Sequence, residues 1–88
     1  MNQTRKLHRL TGTITLALLS STKTKQPFYY LEIEQAWKDK AVIYAFANLV
    51  SQELWNTLKT ENYSGKTYHF FCEKRVRGWR LRSWEEIN

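Results

Sequence analysis

Residues 41–59 read AVIYAFANLVSQELWNTLK, and the hydrophobic period changes inside them. From Ala41 to Ala47 the side chains alternate. Val42, Tyr44 and Phe46 share one face, and Ile43 and Ala45 the other. A period of two is that of a strand. From Leu49 to Lys59, Val50, Leu54 and Leu58 recur at i, i+4 and i+8, the stripe of an amphipathic helix. Asn48 is placed to cap its start, and Asn62–Gly65 to end it. A strand therefore runs almost directly into a helix, and the rest of the chain must be read around that junction.

Upstream, Leu10–Ser20 (LTGTITLALLS) is β-branched and alternating, with Ile14, Leu16 and Leu18 on one face and Thr11, Thr13, Thr15 and Ala17 on the other. Ser20–Pro27 is polar, holds the only proline, and reads as a loop. Phe28–Gln35 (FYYLEIEQ) is a second strand. Tyr29, Leu31 and Ile33 point one way; Phe28, Tyr30, Glu32 and Glu34 point the other. Ala36–Lys40 is a short turn. Downstream, Lys66–Lys74 returns to period two with Tyr68, Phe70 and Cys72 on one face, Gly78 marks a hairpin or bulge, and Trp79–Trp84 is a fifth strand. The expected order is β-β-β-α-β-β. That makes the fold class all-β with one helix, in the chain order of the OB-fold, a five-stranded Greek-key barrel. One such domain fills residues 1–88, with a basic arm over about 1–9 and a short polar tail over about 85–88.

Composition sets the limits. Eighty-eight residues suit one small domain, and a chain of this size buries only roughly 60–65% of its unfolded surface. The single Cys excludes an internal disulfide, which fits a reducing compartment. The longest apolar run, Ala41–Ala47, is far short of the ~20 residues that span a bilayer, and the basic N-terminus is followed by no signal-like apolar segment. The expectation is a cytoplasmic, nucleoid-associated protein, or an organellar stroma or matrix protein if organelle-encoded, with no membrane partner.

Catalysis finds little support. His8 and His69 lie sixty-one positions apart, no Cys-x-x-Cys or His-x-x-x-His occurs, and the three glycines form no phosphate loop. His69 reads as a surface or satisfied strand histidine and Cys72 as a core thiol. No acid, base or nucleophile constellation is recognisable. The expectation is a non-enzyme without metal or cofactor.

Charge and aromatics say more. The net charge is +6, and thirteen residues are aromatic (four Trp, five Tyr, four Phe). Lys74, Arg75, Arg77, Arg80 and Arg82 fall within nine residues with no acid among them, whereas residues 27–64 hold more acids than bases. Segregation of this kind gives a surface one positive side. A barrel this small buries one face of each strand. If Tyr29, Leu31 and Ile33 are inside on strand two, Phe28 and Tyr30 are outside. If Ile43 and Ala45 are inside on strand three, Tyr44 and Phe46 are outside. A one-residue slip would reverse strand three. Phe28 and Tyr30 could equally pack under the first loop or in a dimer interface. Trp79 sits on the basic hairpin. Trp37, beside Lys38 and Lys40, could stack on a ligand or cover a barrel end. Trp55 lies beside the helix stripe and reads as packed. Exposed aromatics stack on bases without regard to sequence, at ~1–3 kcal/mol per base, while Lys and Arg neutralise phosphates.

The stretch YAFANLVSQELWNTLKTENYSGKTYHFFCEKRVRGW resembles the second half of bacterial single-stranded DNA-binding proteins. There, a third strand ending in an aromatic runs into a helix, and a Gly, an alternating strand and a basic hairpin closed by a Trp follow. Phe46, Leu49, Gly65, Tyr68, Phe70, Arg75, Arg77 and Trp79 stand at similar spacing. LTGTITLALLSS and FYYLEIEQ resemble the first two strands, so the likeness covers roughly residues 10–82. It implies an OB-fold in which the third-strand aromatic and the hairpin Trp stack on bases, here Phe46 and Trp79. The usual acidic recruiting tail has no counterpart in WEEIN, and Ala47 stands where a Gly is usual. In its small size the chain is more similar to the PriB-like branch, dimeric primosomal OB-folds.

The expected function is binding of single-stranded DNA with little sequence preference, in replication, restart or repair. Phe28, Tyr30, Trp37, Tyr44, Phe46 and Trp79 would stack. Lys23, Lys25, Lys38, Lys40, Lys74, Arg75, Arg77, Arg80 and Arg82 would contact phosphates. The expected partners are single-stranded DNA or RNA, a second or further copies of the chain in a homodimer or homotetramer, and replication proteins. The alternatives are an RNA-binding OB module, or an adaptor whose aromatic face docks a protein.

Overall fold

In the computed structural model, which describes residues 6–87, the five strands close into a barrel. They are β1 (His8–Ser21), β2 (Pro27–Gln35), β3 (Lys40–Phe46), β4 (Thr67–Arg75) and β5 (Gly78–Ile87), and the one helix, α1 (Gln52–Thr60), lies between β3 and β4. The order around the barrel is β1-β2-β3-β5-β4, with β4 returning to β1. Every neighbour pair is antiparallel except β3 with β5, which run parallel over Ile43↔Trp79 and Tyr44↔Arg80. This is the all-β barrel with one helix that the period changes imply. The expected basic arm falls partly outside the described residues. His8 and Arg9 already belong to β1, and the expected polar tail continues β5, with Ile87 opposite Thr67.

Alternation places the core. Leu31, Ile33, Ile43, Ala45, Phe70, Cys72 and Leu81 are fully enclosed, with Leu54 and Leu58 of α1 packed on them. Trp55 meets Tyr29 edge-on at 5.0 Å between ring centres, and Trp84 stacks on Tyr68 at 4.2 Å. Burial pushes the Cys72 thiol up to about 12, so it stays protonated and unreactive at neutral pH. His69 shares a 2.8 Å hydrogen bond with the Thr11 hydroxyl. The helix has nine residues, and no helix among the described residues is long and apolar enough to cross a membrane.

Three expectations change. On β1 the register shifts between Ile14 and Leu16, leaving Thr15 as an extra residue whose hydroxyl donates to the Glu32 carbonyl at 3.1 Å. A bulge reverses which way later side chains point. Ile14 and Ala17 therefore pack on the core, while Leu16 and Leu18, expected on one face with Ile14, stand outside. The helix begins three residues later than expected, with Ser51 rather than Asn48 as its cap: the Leu54 amide donates to Ser51 Oγ at 3.1 Å. Residues 47–49 are held instead by turns, the Ala47 amide donating to the Pro27 carbonyl and Leu49 to Phe46. Finally, Trp37 is 94% exposed on a left-handed backbone (φ 65°) and covers no barrel end.

Candidate nucleic-acid interface

Strands β2 and β3 pair with Phe28 opposite Phe46 and Tyr30 opposite Tyr44. Because Tyr29, Leu31, Ile43 and Ala45 fill the interior, all four of these rings share the outer face. Phe28 lies 5.2 Å from Phe46 and 6.0 Å from Tyr44, and Tyr30 lies 5.8 Å from Tyr44, centre to centre. These are tilted and edge-on contacts, so the rings form a continuous, half-buried ridge. The Tyr30 hydroxyl donates to Glu32 at 2.9 Å, and that hydrogen bond, first among its causes, raises the phenol's pKa.

Beside the ridge runs a cleft of about 370 Å³, lined by Thr22, Phe28, Tyr44, Phe46, Arg75, Arg77 and Arg80. The chain reaches it from three directions. Thr22 comes from the β1–β2 loop, the rings come from β2 and β3, and the arginines come from the β4–β5 hairpin. Closure of the barrel brings Arg80 beside Tyr44. The hairpin is centred on Val76 and Arg77, with Arg75 opposite Gly78. Lys23 and Lys25 are exposed on the loop that Thr22 begins, and that loop is tied by hydrogen bonds from the Lys25 amide to the Thr22 carbonyl and from the Gln26 amide to Thr22 Oγ1.

Glu73 is the residue that sequence reasoning missed. It is buried, and its carboxylate accepts from Arg80 Nε at 2.8 Å and from an Arg82 Nη at 3.2 Å. An ion pair to Arg80 Nη2 at 2.6 Å completes the clamp. One carboxylate thus fixes two guanidiniums and leaves the pair a net positive charge. Centring the hairpin between residues 76 and 77 pairs Glu73 with Arg80, so the signal was present in the spacing. Arg82 Nε is buried with no hydrogen-bond partner among the described residues.

Not every expected residue joins the cleft. Trp79 shares its parity with the buried Leu81 and sits in register with the buried Ile43, so it turns toward the barrel interior and is half-buried. It was expected on the outer surface beside Tyr44 and Phe46. Lys74 lies over its ring at 4.5 Å. Trp37, Lys38 and Lys40 occupy the opposite end of the β2–β3 pair, where Lys40 faces Glu34. That is six positions from Phe28↔Phe46, about 20 Å along the strands at ~3.3 Å per residue.

No protein-family model matches this sequence, and no curated protein matches it.

Proposed function

We propose that this domain binds single-stranded nucleic acid, DNA in the first place, without strong sequence preference. The observation that carries the reading is the cleft in which three aromatic rings and three arginines meet. Rings accept bases of any identity, and a face of this kind beside cations is what an unpaired strand needs. Duplex DNA offers stacked bases that such rings cannot reach. Lys23, Lys25, Arg75, Arg77 and Arg80 neutralise one phosphate each. The logarithm of affinity for oligo-dT then falls with the logarithm of salt at a slope of about −3.5, using ~0.7 per contact. Between 50 and 200 mM salt the affinity drops on the order of 100-fold. Fluorescence titration at several salt concentrations measures this. Absent or salt-independent binding to oligo-dT removes the reading, and tighter binding to a matched RNA shifts it to RNA, which alone offers the 2′-hydroxyl.

The domain acts as a homodimer built on β1. Beyond Thr13, β1 has β2 on one side and no strand among the described residues on the other. Its surface there carries Leu16, Leu18 and Leu19, the last two 52% and 61% exposed. Soluble proteins guard open edges with charges or prolines. Here no charged residue or proline occurs between Arg9 and Lys23. In a chain of net charge +6, this is a surface on which two copies meet without like-charge repulsion. An antiparallel edge also pairs with itself across a two-fold axis. Sedimentation of the wild-type chain is expected to give a dimer, and Leu18→Glu with Leu19→Glu a folded monomer. A wild-type monomer at tens of micromolar would falsify the assignment.

A further inference from the structure

A second cleft, of about 350 Å³, lies on the other side of the same hairpin, lined by Lys6, His8, Glu73, Lys74 and Arg75. It differs in kind from the first. No Phe, Tyr or Trp lines it, and its walls are polar and mostly cationic. Glu73, its one acid, is occupied by Arg80 and Arg82. Among the described residues no ion pair engages Lys6, Lys74 or Arg75. The half-buried Trp79, not itself a lining residue, holds two of the walls: Lys74 lies over its ring at 4.5 Å, and His8 meets it edge-on at 5.2 Å. Such contacts hold a cation without neutralising it. The cleft therefore presents positive charge and hydrogen-bond donors, with no ridge of rings on which successive bases could stack.

Arg75 lines both clefts. We propose that a single strand long enough to pass the hairpin continues from the aromatic cleft, over Arg75, into this second cleft, where Lys6, His8 and Lys74 hold its phosphates. The inference rests on the single-strand reading of the aromatic cleft. It assigns Trp79 a positioning role, setting Lys74 and His8 beneath a backbone rather than stacking on a base. The strand is read in two unlike halves: bases contacted on the β2–β3 face, backbone alone on the Trp79 face.

The test compares two lengths of oligo-dT, about six and about sixteen nucleotides, within and at the upper end of the ~4–16 that one OB domain occupies. The variant is Lys6→Gln with Lys74→Gln, two exposed positions whose loss leaves the core intact, its folding checked by thermal melting. For the wild type, the salt slope on the longer strand is expected to be steeper than on the shorter by about 1.4, two contacts at ~0.7 each. The variant is expected to lose that difference and to bind the short strand as the wild type does. Equal slopes for the two lengths in the wild type overturn the proposal, as does an equal loss on both lengths in the variant. If the wild type binds neither length, the single-strand reading itself fails; if it binds both and the variant behaves as wild type, only the second cleft does. Trp79→Phe, which keeps a ring under Lys74, is expected to retain the length-dependent slope, and Trp79→Ala to lose it.

Discussion

Replacing Phe28 and Phe46 together with alanine is expected to weaken binding of oligo-dT by about 2–6 kcal/mol, from two stacking contacts of ~1–3 kcal/mol each. In affinity this is roughly 30-fold to 10⁴-fold. The two rings face each other across β2 and β3 at 5.2 Å, and both line the cleft. Neither belongs to the core cluster, so the fold should survive. The pair belongs in one variant because either ring can partly replace the other. Salt dependence separates stacking from charge. The salt slope should stay near the wild-type value, since no phosphate contact is lost, while affinity falls at every salt concentration. Arg75→Gln with Arg77→Gln should do the opposite and flatten the slope by about 1.4. If the double alanine variant binds as tightly as the wild type, the ridge is not where bases sit.

The second large effect is on stability. Gly12 is buried where β1 crosses both its neighbours, opposite Gln35 on β2 and Tyr68 on β4. A Cβ there would drive into the Glu34 carbonyl, with the carbonyl carbon 2.9 Å and Gln35 Cα 3.2 Å away. All of these are backbone atoms, so no rotamer change relieves the clash and the strands must separate. Overpacking typically costs ~1–3 kcal/mol where side chains can move, and an unyielding backbone puts Gly12→Ala at or above that upper end. A domain of this length has about 4–13 kcal/mol in total. A loss near 3 kcal/mol lowers the melting temperature by roughly 12–24 °C. Gly65→Ala is the control. Its Cβ would meet nothing within 4 Å, and only its positive φ of 75° opposes the change. A Gly12→Ala variant that melts with the wild type would mean that β1 and β2 are further apart than described.

Much of this was legible in the residues. The switch from period two to period 3.6 after Ala47 located the helix, and alternation divided β2 and β3 into two faces each while leaving open which face of β3 turns inward. Burial of Tyr29, Leu31, Ile33, Ile43 and Ala45 put Phe28, Tyr30, Tyr44 and Phe46 outside together. What alternation could not supply was its own interruption. A bulge adds a residue without a compositional mark, so Thr15 hid the reversal that turns Leu16 and Leu18 outward. Ser51 was obscured because Leu49 and Val50 continue the apolar run that elsewhere marks helix. Trp79 was read by its company, a basic hairpin, when its parity with Leu81 pointed inward. Reading cations in sequence order also concealed Glu73, one position outside the counted cluster and central to it once β4 and β5 pair. The reach of Trp37, Lys38 and Lys40 was decided by strand length, which places them at the far end of the sheet.

The barrel is sealed by its shortest seam, two residue pairs between β3 and β5, and one of those pairs is Tyr44 with Arg80. Both side chains also line the aromatic cleft. One wall of the cleft comes from the chain before α1 and the other from the β4–β5 hairpin after it, so neither part carries the site alone. A ligand lying there staples the two ends of the polypeptide across the place where the barrel would first come open. Were a strand bound there, occupancy and integrity of the fold would be one equilibrium, with the strand as a sixth fastening of the barrel.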